Sequence, residues 1–391
     1  MSCRKFSIAV LGSTGSIGKT TLKIIEKNSN LFKVDLLACD KNKKIILNQI
    51  KKFLPKYVII NNKIVLNYFK NLIFKQKIKF FQSIKDFQKF NKYNRIKFEK
   101  VILAISSING IDYAFSCLNF SKEILLANKE TIVCGGNFFL NEAKKNNCKI
   151  TSIDSEHFCL AKILNTIKDK DIDKVYLTAS GGPFLEKSVK EISKINLKIA
   201  LKHPNWKMGK KISIDSATMA NKGLELIEAS FLFGINPNKI KIKIHKESKV
   251  HAAVILKNGL VHLVAHNTSM SIPIKNSLLN DISFSTQKNF FLEKNRFNFS
   301  FDEINLKKFK MIRLAHKVIN YGQRGCIFYN VINDILVNLY LNKKIFYYQI
   351  YNILNTIINK KKLIPYFKKK INNINEIYET ISYAKSYFKK I

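Results

Sequence analysis

Short apolar runs rich in β-branched residues recur through the first half of the chain: Phe6 to Leu11, Val34 to Cys39, Tyr57 to Ile60, Val101 to Ile105, Ile124 to Ala127, Ile150 to Ile153 and Val175 to Thr178. Amphipathic stretches of helical length, such as Thr20 to Asn28, separate several of them. This alternation predicts an α/β sheet with crossover helices. Polar clusters follow the runs: Asn128-Lys129-Glu130, Asp154-Ser155-Glu156 and Ser180-Gly181-Gly182-Pro183. Open α/β sheets bind ligands beyond the carboxyl ends of their strands, so the clusters are expected to line one crevice. Polar turns end many strands, and only the chemical complementarity of these three sets them apart. From about Asp302 the texture changes to long stretches of Ile, Leu, Tyr, Asn and Lys with almost no glycine, which predicts a small helical C-terminal domain.

Composition narrows the class. With 391 residues and 46% hydrophobic content the chain has ample core for two or three domains. Lys+Arg 68 against Asp+Glu 27 gives a formal charge of +41, ordinarily a pointer to nucleic acid. Yet only five of those residues are Arg, and the lysines spread evenly among Asn, Ile, Phe and Tyr. That is the residue set of A- and T-rich codons, so no nucleic-acid partner is expected. Seven cysteines form no C-x-x-C pair, which predicts a reducing compartment and excludes a zinc ribbon. The only apolar run before the first glycines, Phe6 to Leu11, is too short for a signal peptide or a membrane span. A cytoplasmic protein with no membrane partner is expected.

The candidate chemistry begins at Asp154 and Glu156. They sit at i and i+2 where a β-prone run ends, so a strand would place both carboxylates on one side. Two such charges call for a cation or a shared proton, and Glu225 could complete a hard oxygen-ligand site for magnesium or manganese. Gly12-Ser13-Thr14-Gly15-Ser16-Ile17-Gly18 follows the first run and opens an amphipathic stretch. A glycine turn in that setting offers backbone N–H groups and a helix N-terminus to a pyrophosphate. The same residues nearly spell a nucleoside-triphosphate loop at Gly18-Lys19-Thr20, but the first required glycine falls on Ser13. After the second run, Asp40 favours NAD, whereas Lys41, Lys43 and Lys44 favour the extra phosphate of NADP. His203-Pro204-Asn205-Trp206-Lys207-Met208-Gly209 carries the only Trp in a loop-forming stretch, which suits a cover over a ligand. Ser180, Ser216, Asn221 and Lys222 supply the donors that hold a phosphate.

These motifs, with Ala127-Asn128-Lys129-Glu130, Asp154 to His157, Ser180 to Phe184 and Asp215 to Glu225, stand in an order and spacing that resemble the 1-deoxy-D-xylulose 5-phosphate reductoisomerase family. The resemblance is dense from Leu126 to Glu228 and thin before Val101, the glycine loop apart, and beyond Pro273. It implies NADPH, Mg2+ or Mn2+, a small phosphorylated sugar substrate, a homodimer and the step that makes 2-C-methyl-D-erythritol 4-phosphate. It also implies metal ligands at Asp154, Glu156 and Glu225, and catalytic roles for Lys129, Glu156 and His203. Ser155, Ser180, His203, Trp206, Ser216, Asn221, Lys222 and Glu225 would contact the substrate. Ser13, Thr14, Gly15, Ser16, Ile17, Lys41, Asn42, Ala104, Asn128, Glu130 and Gly209 would contact the cofactor. His251 resembles a family histidine near the site, and a satisfied core histidine reads equally well.

The expected architecture is an N-terminal Rossmann-type dinucleotide-binding domain over residues 1–150 and a central α/β catalytic and dimerisation domain over 151–285. A linker at 286–305 and a helical C-terminal domain at 306–391 follow. Two departures from the family stand out: Ser106-Ser107-Ile108-Asn109-Gly110, where the family has a glycine-containing turn after the fourth strand, and the drifted segment from Arg324 to Asp334. Two other readings of the residues are a semialdehyde-dehydrogenase-type reductase, which would need a nucleophile at Cys134 or Cys159, and a lysine-rich nucleic-acid binder.

Overall fold

A computed structural model of the chain describes residues 5–74, 76–193, 195–203, 206, 209–279 and 298–390. These form two compact units, the first from residues 5–131, 139–154 and 270–279, the second from 132–138, 155–269 and 298–390.

The first unit is built on seven parallel strands: β1 (Phe6–Leu11), β2 (Phe32–Cys39), β3 (Tyr57–Ile60), β4 (Lys79–Phe81), β5 (Phe98–Leu103), β6 (Ser121–Leu126) and β7 (Lys149–Ser152). Their order, β4-β3-β2-β1-β5-β6-β7, reverses between β1 and β5, the switch point at which such sheets bind ligands. The apolar runs fall on six of these strands. β4 escaped the pattern because it has three residues and begins with a lysine. The turn Ser106 to Gly110 therefore follows the fifth strand, not the fourth. The helix Ser16–Lys27 buries Gly18, Thr21, Leu22 and Ile25, the i, i+3, i+4, i+7 face of an amphipathic helix. That face joins Ile8, Val10, Leu37, Val58, Ile102 and Leu125 in the core.

The helix Ser271–Leu279 returns to this unit from far along the chain. Buried Lys100 on β5 bonds Glu123 on β6 at 2.5 Å and donates to the Ser277 carbonyl at 2.8 Å, while Glu123 accepts from the Thr151 hydroxyl on β7 at 2.6 Å. One ion pair thus ties three strands and a distant helix.

The second unit contains β8 (Ile172–Ala179), β9 (Ile240–Ile244), β10 (Val250–Leu256), β11 (Val261–Ala265) and β12 (Asp302–Glu303), in the order β11-β10-β8-β9-β12. β8 and β9 are parallel and the other pairs antiparallel. The polar cluster after β8 therefore belongs to a different sheet from those after β6 and β7. The C-terminal helices, Lys310–Tyr321, Gln323–Leu341, Tyr347–Ile358 and Ile374–Lys389, lie in this unit as well. Residues 286–297 of the expected linker lie outside the described residues, and β12 forms in its remainder.

Gly12 closes β1 with φ +85°, and a Cβ there would lie 2.5 Å from the Ala104 carbonyl oxygen. At Gly15 an added Cβ would meet only the Gly12 carbonyl oxygen, at 3.3 Å. Gly12→Ala should cost about 2 kcal/mol of stability, and Gly15→Ala well under half of that. Urea midpoints followed by far-UV circular dichroism compare the two, and equal midpoints would contradict the tight turn.

Candidate active site

In the first unit the candidate residues gather at the carboxyl ends of the parallel strands. The N–H groups of Gly12 and Ser13 both donate to the Ala38 carbonyl at 2.9 Å, which fixes the turn leaving β1. The helix Ser16–Lys27 starts at Gly15 without a side-chain cap, and Gly15 and Ser16 are exposed there. Its first-turn N–H groups offer the anion site expected of this loop. Thr14 and Ile17 are half-buried beside it, whereas Ser13 is fully buried. Ala104 follows β5 and donates its N–H to Leu11 at 2.8 Å. Past β2, Asp40 and Lys41 are exposed, and Asn42 caps the helix Lys43–Phe53 by accepting from the Ile45 N–H at 3.2 Å. The Lys43 ammonium stands 3.2 Å from the centre of the Tyr68 ring, so an aromatic face holds one of the three lysines counted here.

Asn128 is committed to structure. Its amide donates to the carbonyls of Ile105 at 2.6 Å and Ser107 at 2.9 Å, and its oxygen accepts from the N–H and hydroxyl of Thr131. It thus caps the helix Lys129–Lys145 and holds the turn in which Ser107 takes φ +66°. Glu130 is buried in the first turn of that helix.

The strand geometry expected for Asp154 and Glu156 is not the one observed. β7 ends at Ser152, Asp154 lies in a bend, and Glu156 falls in the first turn of the helix Ser155–Leu164. The turn into the helix, rather than strand periodicity, brings the two together. Asp154, Glu156 and Glu225 each place an oxygen within 4.8 Å of the others. Glu225 comes from the helix Ala220–Phe233 and is 1% exposed.

Three clustered carboxylates repel unless cations intervene. The Lys129 ammonium lies 2.9 Å from Asp154 Oδ2, while the Lys222 ammonium bonds Glu156 Oε1 and stands 2.5 Å from Glu225 Oε2. Lys222, expected at a phosphate, thus sits between two of the expected metal ligands. Asn221 donates to the other Glu225 oxygen, and the Ser155 hydroxyl donates to Glu156 Oε2 at 2.6 Å. Three carboxylates gathered as hard oxygen donors fit Mg2+ or Mn2+.

Behind the carboxylates lies a supporting layer that the sequence pattern does not announce. Buried His157 contacts the Glu225 carbonyl oxygen through Nε2 at 2.9 Å and Glu228 through Nδ1 at 3.4 Å. The helix Lys210–Thr218, with Gly209 at its N-cap, is braced by a polar network. Lys211 bonds Asp215 at 3.0 Å and Asp334 at 2.8 Å, and Asn333 donates to Asp215 at 2.7 Å. That helix carries Ser216. Only the position of His157 directly after Glu156 offered a local signal for any of these.

Ser180 follows β8, and its hydroxyl lies 3.1 Å from His203 Nε2. His203 Nδ1 accepts the Trp206 N–H at 3.0 Å, so in the neutral ring the proton sits on Nε2 and points to Ser180. Burial, reinforced by the Lys222 charge, pushes the His203 pKa down to about 4 and keeps the ring neutral. Pro204, Asn205, Lys207 and Met208 lie outside the described residues. Trp206 meets His251 edge to face at 6.2 Å. Cys134 and Cys159 are both fully buried, and Cys134 Sγ accepts from the Asn330 amide at 3.3 Å. Neither is open to act as a dehydrogenase nucleophile.

Comparison with known proteins identifies the family. Residues 8–136 match the family model "1-deoxy-D-xylulose 5-phosphate reductoisomerase", residues 150–233 its C-terminal domain, and residues 266–387 the "DXP reductoisomerase C-terminal domain". The 1-deoxy-D-xylulose 5-phosphate reductoisomerase of Pelagibacter ubique is 40% identical over 383 residues, covering 96% of this chain and 97% of its own. That of Clostridium novyi is 36% identical over 389 residues, 98% of each. A crystal structure of DOX-P reductoisomerase in complex with NADPH, fosmidomycin and magnesium superposes with a TM-score of 0.87 at 30% identity, covering 98% of this chain and 97% of the other. The Zymomonas mobilis enzyme in complex with NADPH gives 0.85 at 26% identity, with 97% of each chain covered. Matched from its glycine loop to its last helices, the chain belongs to the 1-deoxy-D-xylulose 5-phosphate reductoisomerase family.

Proposed function

We propose that this chain converts 1-deoxy-D-xylulose 5-phosphate to 2-C-methyl-D-erythritol 4-phosphate, a skeletal rearrangement followed by NADPH-dependent reduction, in non-mevalonate isoprenoid biosynthesis. The observation that carries this reading is the convergence of Asp154, Glu156 and Glu225 beside Lys129 and Lys222. Asp154, Glu156 and Glu225 would hold Mg2+ or Mn2+, which supplies Lewis-acid stabilisation of charge on the substrate oxygens. NADPH supplies the hydride, and Ser13, Thr14, Gly15, Ser16 and Ile17 would seat its pyrophosphate at the first helix. Lys41, Asn42, Ala104, Asn128, Glu130 and Gly209 complete the proposed cofactor set, Asn128 by shaping the turn after β5.

The chain's own groups do the rest. Lys129, already paired with Asp154, can orient a substrate oxygen and stabilise or protonate it as charge develops. Ser155 adds a hydroxyl beside Glu156. The phosphate end would rest on Ser180, Ser216, Asn221 and Lys222. Because His203 gives its Nε2 proton to Ser180, the Ser180 hydroxyl keeps its own proton for a phosphate oxygen. Trp206, linked to His203 through its N–H, would cover the site and exclude water.

Residues 1–150 would serve the cofactor, 151–285 catalysis and dimerisation, and 306–391 support, with 286–305 as connection. A homodimer is favoured by β11, an edge strand at which Val261 and Leu263 are exposed, with exposed Leu260 just before it. A cytoplasmic location fits the six cysteines among the described residues, which are buried as thiols, and no described helix is long and apolar enough to cross a membrane.

Glu225→Gln keeps the size and the bond from Asn221 but removes one ligand charge. Metal affinity and turnover should fall by about 100-fold or more while NADPH binding survives. NADPH oxidation with 1-deoxy-D-xylulose 5-phosphate, with and without Mg2+ or Mn2+, checks this; wild-type turnover and metal dependence in the variant would remove Glu225 from the ligand set.

Cofactor choice turns on Asp40, exposed beside Lys41 while Lys43 is drawn onto Tyr68. NADPH should bind more tightly than NADH, and Asp40→Gly should widen the gap by removing repulsion of the 2′-phosphate. Titration of both dinucleotides by their own fluorescence measures it. Selectivity unchanged by Asp40→Gly would show that this carboxylate points away from the ribose.

A further inference from the structure

β10 carries a bulge at His251. Val250 pairs with Ala265 and Ala252 with Val264, so β10 uses two residues where β11 uses one. The Thr178 hydroxyl holds the bulge, with its oxygen 2.6 Å from the Val250 carbonyl and 3.2 Å from that of His251. Bulges of this kind re-aim a side chain. Here the His251 ring comes to stack on His266, centroids 4.0 Å apart and planes 24° from parallel. Trp206 packs edge to face on His251, and Phe158 does the same on His266 at 6.4 Å. The two imidazoles are only 3% and 8% exposed.

Hydrogen bonding sets the proton positions. The His266 Nδ1 lies 2.7 Å from the Asn267 carbonyl oxygen, which can only accept, so Nδ1 carries the proton. The His266 backbone beside the His251 ring favours a proton on that ring. In each ring Nε2 is buried with no hydrogen-bond partner among the described residues. Burial lowers both pKa values, so the pair stacks as neutral rings with no mutual repulsion. Both rings also feel the charge of Glu156, a proposed metal ligand.

We propose that His266 is a positioning residue for the reaction: its ring holds the His251 ring against Trp206, so that the bare Nε2 of His251 is fixed to accept a hydrogen bond from a hydroxyl of a polyhydroxy phosphate. A histidine that only filled core space would not need a bulge, a carbonyl-anchored ring and a second imidazole to orient it. The inference rests on the reaction proposed above.

The test compares His266→Ala, which removes the stack, with His266→Phe, which keeps a flat ring. For His266→Ala, kcat with 1-deoxy-D-xylulose 5-phosphate should fall about tenfold, the worth of one aromatic pair, with NADPH affinity unchanged. His266→Phe should recover most of the loss. Trp206, the chain's only Trp, should change its emission in His266→Ala without any substrate and regain it in His266→Phe. Wild-type kcat in His266→Ala, a Phe variant no better than Ala, or emission indifferent to both overturns the positioning role in an active enzyme. A wild-type protein without turnover would overturn the reaction itself, and this role with it.

Discussion

A buried carboxylate has to be neutralised where it stands, and Glu225 sets that demand for the whole second unit. Its helix answers it locally: Asn221 and Lys222 lie four and three residues earlier, on the same face, and each bonds a different Glu225 oxygen. Lys222 also reaches Glu156, so the helices Ala220–Phe233 and Ser155–Leu164 are pinned by one ammonium. Removing one partner of a buried pair typically costs about 3–5 kcal/mol, because the other charge is left unpaired. The carboxylate cluster is therefore a structural knot as well as a candidate metal site. His157 extends it by bonding the Glu225 backbone and Glu228 from the same first turn that supplies Glu156.

The C-terminal helices carry more of this burden than their sequence suggests. The sequence of Arg324 to Asp334 is expected to depart from the family's alanine- and asparagine-rich pattern, and its polar positions are tied into the fold. Arg324 donates to the carbonyls of Lys369 and Lys370, the hydroxyls of Tyr366 and Thr380, and the carboxylate of Glu376. Asn333 and Asp334 reach Asp215 and Lys211 on the helix that carries Ser216. Loss of any one of these partners would leave a buried hydrogen-bonding group unmade.

Sequence pattern recovers the elements better than the contacts between them. Six of the first seven strands announce themselves because parallel strands are buried on both faces and read as continuous apolar runs; β4, short and at the sheet edge, does not. Strand periodicity points to the metal-site residues for a reason the structure corrects, since Asp154 and Glu156 meet through a bend and a helix start. Lys222 and Asn128 illustrate what side-chain chemistry alone cannot assign: one ammonium or one amide suits many acceptors, and tertiary placement chooses. His266 left no signal at all, because its stacking on His251 depends on a bulge that no spacing rule reports.

In so basic a chain the acids are the informative residues. With 68 lysines and arginines against 27 acids, a surface lysine says little, whereas a buried carboxylate carries a desolvation cost that its partners must offset. The acids buried among the described residues are Asp35, Glu123, Glu130, Asp215, Glu225, Glu228 and Asp334. Glu225 is in the carboxylate cluster, Glu228 contacts the histidine behind it, Asp215 and Asp334 brace the Ser216 helix, and Glu130 follows Lys129. Glu123 holds three strands of the first sheet together, and Asp35 accepts from Ser7 on a neighbouring strand. Lysines are spread along the chain, whereas the buried acids mark where the fold and its candidate chemistry demand a charge.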